Sequence, residues 1–178
     1  MPNFRHRLTR SQQRDYDRSN AVRSVPVRVS ARCARAATLL EWALVHGDRA
    51  RTQRVAQVIC DDLCSALRLP ALRVEVRAVR PSDRRGELHG LYQSAGRSQV
   101  ISVWMFTAKR SQVVAYRTFL RTLLHELGHH IDYEYLSLRD SFHTDGFFQR
   151  ESSLVRQLLD AAARAPAATA PLAPDSVE

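Results

Sequence analysis

Two histidines and a glutamate stand at a spacing that metal hydrolysis requires: His125, Glu126 and His129 in "LLHELGHHIDY", residues 123–133. On a helix, side chains four apart project from one face about a turn from each other, so both imidazoles reach one ion. Glu126 follows the first ligand directly, too close to share the metal comfortably but within reach of a water beside it. That is the place of a general base. Two protein ligands do not complete a catalytic zinc site, which usually has three and an open position for water. The third must come from "SFHTDGFFQRESSL", where His143, Asp145 and Glu151 are the candidates.

Thirteen residues separate His129 from His143, enough for one helix to end and the chain to fold back. Leu136 and Leu138 would pack that return, and His143 would sit at the mouth of the next helix. Glu151 lies 22 residues past His129, two turns into the same helix, and could also reach back as a carboxylate ligand. Asp132 is a candidate carboxylate for orienting an imidazole, or else part of a solvated helix face. His89, His130, Tyr133 and Tyr135 are available as oxyanion donors, although packing or surface roles suit them better.

The elements that must position these residues are legible from period. "SQVVAYRTFLRTLLHELGHHIDYEYLSL" reads as one long helix with Phe119, Leu120, Leu123, Leu124, Leu127 and Ile131 as its apolar stripe. Gly128 inside it costs about 1 kcal/mol relative to Ala, which points to close packing or a functional reason at that turn. "SFHTDG" breaks the helix, and Thr144 or Asp145 caps the next one. Upstream, two amphipathic helices are expected, Ala34 to about His46 and then a second ended by Pro70. The period then shifts to two, with a strand over 72–79 and a hairpin around Ser94, Ala95, Gly96 and Arg97. An exposed edge strand within residues 98–106 would pair with an extended substrate through its backbone.

The chain has 178 residues, 44% hydrophobic and 25% charged, which suits one domain with a real core and excludes the disordered and fibrous classes. No apolar run approaches the roughly 20 residues of a membrane helix, so no membrane partner is expected. The polar N-terminus lacks the apolar core of a secretory signal, and the cytoplasm is the expected compartment. Cys33, Cys60 and Cys64 form no even-numbered framework and read as small buried residues.

Nine arginines against Asp15 and Asp17 give residues 1–35 seven of the nine net positive charges. Residues 1–30 therefore read as a basic flexible arm that could track the phosphates of nucleic acid. Because Lys109 is the only lysine, the arginines equally fit a compositional bias. Residues 31–164 form the expected domain, and 165–178 an Ala- and Pro-rich disordered tail.

"HELGH" followed after a gap by "HTDGFFQRESSL" resembles the SprT-like and Wss1-like minimal zinc metallopeptidases, over about residues 34–160. In those families the third histidine opens a helix of the form His-x-x-x-Phe, then often a second aromatic and later a Leu. Here these positions are His143, Phe147, Phe148 and Leu154, with Phe148 where Trp is more usual. No CxxC pair follows in this sequence. The resemblance implies His143 as third ligand ahead of Glu151, with Zn2+ as cofactor and a peptide or protein as substrate. It also implies an α+β zincin-like fold: N-terminal helices, a small mostly antiparallel sheet with a hairpin, the HExxH helix and a C-terminal helix. The competing functions are a nucleic-acid-associated module using the basic arm, and a non-catalytic metal-stabilised protein.

Overall fold

The computed structural model describes residues 4–165 apart from positions 85 and 97. After a 3-10 turn over Phe4–Arg7, the chain forms helices α1 (Arg10–Ala21), α2 (Ala31–Val45) and α3 (Arg49–Leu67). Strands β1 (Arg73–Val79), β2 (Ser82–Asp83), β3 (Gly86–Glu87), β4 (Gly90–Ala95) and β5 (Ser98–Phe106) follow. The helices α4 (Tyr116–Glu134) and α5 (Asp145–Arg164) complete the order. The architecture is α+β, and no helix is long and apolar enough to cross a membrane among the described residues.

All the helices except α4, which starts after Ala115 without a side-chain cap, begin where a side chain can satisfy orphan amides. Ser30 accepts from the Cys33 N–H at 3.0 Å and Asp48 from the Arg51 N–H at 2.9 Å. Between α2 and α3, Gly47 takes the left-handed backbone that the turn needs (φ 66°). The two helices bury Leu40, Leu44, Ile59 and Leu63, and all three cysteines lie free in this core.

The three-stranded sheet has the order β1-β5-β4. The hairpin is there, with β4 antiparallel to β5, but β1 runs parallel to β5. The sheet is therefore mixed rather than mostly antiparallel, because β4 returns to pair on the far side of β5. For the same reason residues 98–106 form the central strand and not an edge. Gln99 and the run Ile101 to Met105 are buried on both faces, as a central strand demands.

The two edges are treated differently. Along β1, α3 lays down glutamines that mimic a further strand: Gln53 accepts from the Val76 N–H at 2.6 Å and Gln57 from the Val74 N–H at 2.8 Å. The Gln57 amide also donates to the Leu72 carbonyl at 2.8 Å. That edge is closed by side chains. The edge that lines the main cleft is β4.

Helix α4 packs its apolar stripe against β4, β5 and α5, with all six stripe residues buried. The expected unstructured arm is a second departure. Residues 10–21 form α1, opened by a capping box in which Thr9 and Gln12 satisfy each other's backbone amides. The Arg5 guanidinium adds a two-pronged contact to Asp17 at 2.7 and 2.6 Å. α1 packs on α5 through polar groups, burying Asp15 and Ser19 and no large apolar side chain, which is why hydrophobic period does not reveal it. Positions from 166 in the expected tail lie outside the described residues.

Candidate metal centre

His125 and His129 stand one turn apart on α4, half-buried, facing a cleft of about 760 Å³. Beyond Glu134 the chain reverses through Ser137, which takes a left-handed backbone (φ 51°), and Leu138 is buried beneath the return. Thr144 then caps α5 by accepting from the Phe147 N–H at 3.0 Å. That cap fixes where His143 arrives. Its Nε2 lies 3.0 Å from Nε2 of His125 and 3.2 Å from Nε2 of His129. The three side chains could hold a metal ion.

A floor supports them. The Phe147 ring centroid is 5.0, 5.0 and 5.2 Å from the rings of His125, His129 and His143. A Cβ on Gly128 would sit 3.0 Å from the tip of this ring, so the helix glycine gives Phe147 its space. The exposed Phe148 stacks on His143 with centroids 5.7 Å apart.

The outer partners decide which nitrogens carry protons. Nδ1 of His125 meets a Glu151 carboxylate oxygen at 2.8 Å, and the other oxygen accepts from Arg121 at 2.6 Å. An ionised carboxylate only accepts, so Nδ1 of His125 is the N–H and Nε2 keeps its lone pair. Nδ1 of His129 meets Ser141 Oγ at 2.8 Å, and that hydroxyl donates to Asp132 at 2.8 Å. Its proton being committed, Ser141 accepts from His129, whose Nε2 is also bare. Two lone pairs thus converge with the third imidazole on one point.

Asp132 is fully buried, and burial raises its carboxyl, an effect that Arg150 at 2.6 Å and Ser141 only partly offset. The Arg150 guanidinium reaches further, donating to Ser19 Oγ at 2.9 Å and to the Ser19 and Val22 carbonyls at the end of α1. One chain of contacts therefore runs from His129 through Ser141, Asp132 and Arg150 to the N-terminal helix. Gly146 permits the approach, since a Cβ there would lie 2.5 Å from the Asn20 carbonyl oxygen.

Glu126 is 6% exposed and points toward β4. Burial raises its carboxyl to about 7, against the lowering effect of His125 and of a hydrogen bond from the Tyr92 backbone N–H. A Cβ on Gly90 would fall 2.4 Å from its Oε1, so only glycine lets β4 and this carboxylate share the space. Burial also lowers His129 to about 4, helped by His125 and His143.

The remaining candidates fall elsewhere. Glu151 is engaged on the far nitrogen of His125 and with Arg121, not in the group of three. Asp145 is exposed at the start of α5. His130 is buried, with Nε2 on the Pro70 carbonyl and Nδ1 on the Tyr92 hydroxyl, both at 3.0 Å, so neither nitrogen faces a substrate. His89 and Tyr133 line the cleft, whereas Tyr135 is exposed away from its lining. Sequence reasoning missed Gly90, Tyr92, Ser141 and Arg150. Their partners are remote in sequence, and only Gly90, a glycine inside a strand pattern, carried a local signal of close backbone approach.

Comparison with protein-family models, with curated proteins and with solved structures found no significant match.

Proposed function

We propose that this protein is a zinc-dependent metallopeptidase in which His125, His129 and His143 hold the metal and Glu126 is the general base. The observation that carries the reading is the pair of Nδ1 contacts, Glu151 on His125 and Ser141 on His129, which turn both Nε2 atoms toward His143 beside a buried carboxylate. The donor set fits zinc. Two nitrogens bonded at about 2.0–2.1 Å and tetrahedral angles stand roughly 3.3 Å apart; His143 lies 3.0 and 3.2 Å from its two partners, and all three donor atoms lie within 4.8 Å of one another. Three imidazoles with no fourth protein ligand among the described residues match the catalytic rather than the structural pattern. When bound, zinc polarises a carbonyl and lowers the pKa of water.

The chain's own residues supply the rest. The Glu126 carboxylate takes a proton from the attacking water and delivers it to the departing amine nitrogen. Gly90 and the Tyr92 N–H hold that carboxylate in place. The substrate lies extended along β4, the edge facing the cleft. The motif order supports placement among SprT-like or Wss1-like minimal peptidases as part of this proposal. The nucleic-acid reading has no observation of its own, because most of the expected arm is folded into α1 and against α5.

The test is turnover of a mixed, internally quenched peptide library by zinc-loaded wild type and Glu126→Gln. The variant keeps its metal and loses at least about 100-fold in kcat, the lower end of what a general base contributes. Equal turnover by the two proteins contradicts the assignment, as does an inactive zinc-loaded wild type.

A further inference from the structure

We propose that the cleft selects peptides bearing a carboxylate, through Arg117 and Arg121 on α4. This rests on the peptidase reading for the polymer that enters the cleft, and adds the chemistry it must carry. Arg117 and Arg121 both line the cleft, one helical turn apart, and Arg121 stands one turn before His125. They form a cationic flank leading to the metal ligands.

Their counter-charges are incomplete. The only acidic side chains in the cleft lining are Glu126 and Glu151. Glu126 is turned against Gly90 and the Tyr92 N–H. Glu151 is shared between His125 and one terminal nitrogen of Arg121. Arg121 is 53% exposed, and its contacts to Glu151 and Ser152 both use Nη1, which leaves its other donors facing solvent. Arg117 is exposed and forms no ion pair among the described residues. A guanidinium presents a planar fork that matches a carboxylate in two-pronged fashion. Thr118 and Thr122 share the same lining, with the Thr122 hydroxyl donating to the Thr118 carbonyl at 2.9 Å.

The opposite end of the lining has different chemistry. Tyr92 and Tyr133 stack with centroids 5.9 Å apart, and no cation lies among the lining residues beside them. The cleft is thus polarised along α4, and an extended peptide meets the arginines at one end only. The carboxylate can be an Asp or Glu side chain, or the C-terminal group of a short peptide. Both present the same two oxygens.

Binding separates this proposal from catalysis. Full-length Glu126→Gln protein, zinc-loaded, is titrated into fluorescent eight-residue peptides at low salt, so that affinity is read whether or not the wild type cleaves. With blocked ends, the Glu peptide binds about fivefold tighter than its Gln counterpart, the upper range for one solvent-exposed ion pair. The Lys peptide binds more weakly than either. A Gln peptide with a free C-terminal carboxylate, compared with its amide, tells which source the arginines recognise. Adding Arg117→Glu removes the preference, and the milder Arg117→Gln reduces it. Equal affinity for acidic, neutral and C-terminally free peptides overturns the proposal. So does a preference untouched by Arg117→Glu, or the absence of peptide binding.

Discussion

A histidine can present a lone pair to a metal only if its other nitrogen has somewhere to put its proton. Here that place differs for each α4 ligand: Glu151 for His125, and Ser141 backed by Asp132 for His129. Glu151→Gln keeps the size of the side chain but removes its charge, and its amide can turn either end toward Nδ1. Metal affinity falls about 10-fold or more, in the range measured for outer partners of metal ligands, read by competition with a chromophoric chelator. Unchanged affinity would mean that Glu151 serves Arg121 alone. His125 and His129 were legible as a pair because their spacing is local, whereas His143 was favoured over Glu151 only through the family resemblance. Ser141 and Arg150 were not legible, since nothing near them in sequence names the buried groups they serve.

At the scale of elements, the centre is the meeting of four pieces: α4 supplies two of the proposed ligands and the proposed base, α5 the floor, β4 the wall, and the reversal before α5 the third proposed ligand. The apolar stripe of α4 and the alternation of β5 were readable because one face of each meets the core. The parallel pairing of β1 with β5 was not, because strand direction within a sheet depends on where a distant segment returns. α1 escaped for another reason: it is held by hydrogen bonds and one close backbone approach, not by an apolar face. The Thr9 to Gln12 capping pattern was its only sequence signal. Its contact with Arg150 links it to Asp132 beneath the site. Gly146→Ala drives a methyl into the Ser19 and Asn20 carbonyls and displaces α1 without deleting any residue. About 10-fold weaker metal binding is expected, together with faster amide exchange in α1. Displaced α1 with metal affinity unchanged would show that the chain of contacts ends at Asp132.

For the whole molecule, the two sheet edges explain why a protein this small can leave a backbone edge beside its cleft. The Gln53 and Gln57 contacts cover the β1 edge over Leu72 to Val76, which leaves β4 as the edge of this sheet beside the cleft. The charge of the N-terminal third reads differently once folded. Arg5 pairs with Asp17, Arg18 donates to the Leu136 carbonyl at 2.6 Å, and Arg32 meets Asp62 at 3.3 Å. Part of the basic segment therefore holds the fold. Everything proposed for the cleft depends on a metal at the three histidines, and elemental analysis of purified protein tests that most directly. Wild type and Glu126→Gln are expected to carry one zinc per chain, and His143→Ala to lose it while remaining folded by circular dichroism. A wild type that takes up no zinc, or a His143→Ala protein that keeps it in full, would contradict the account.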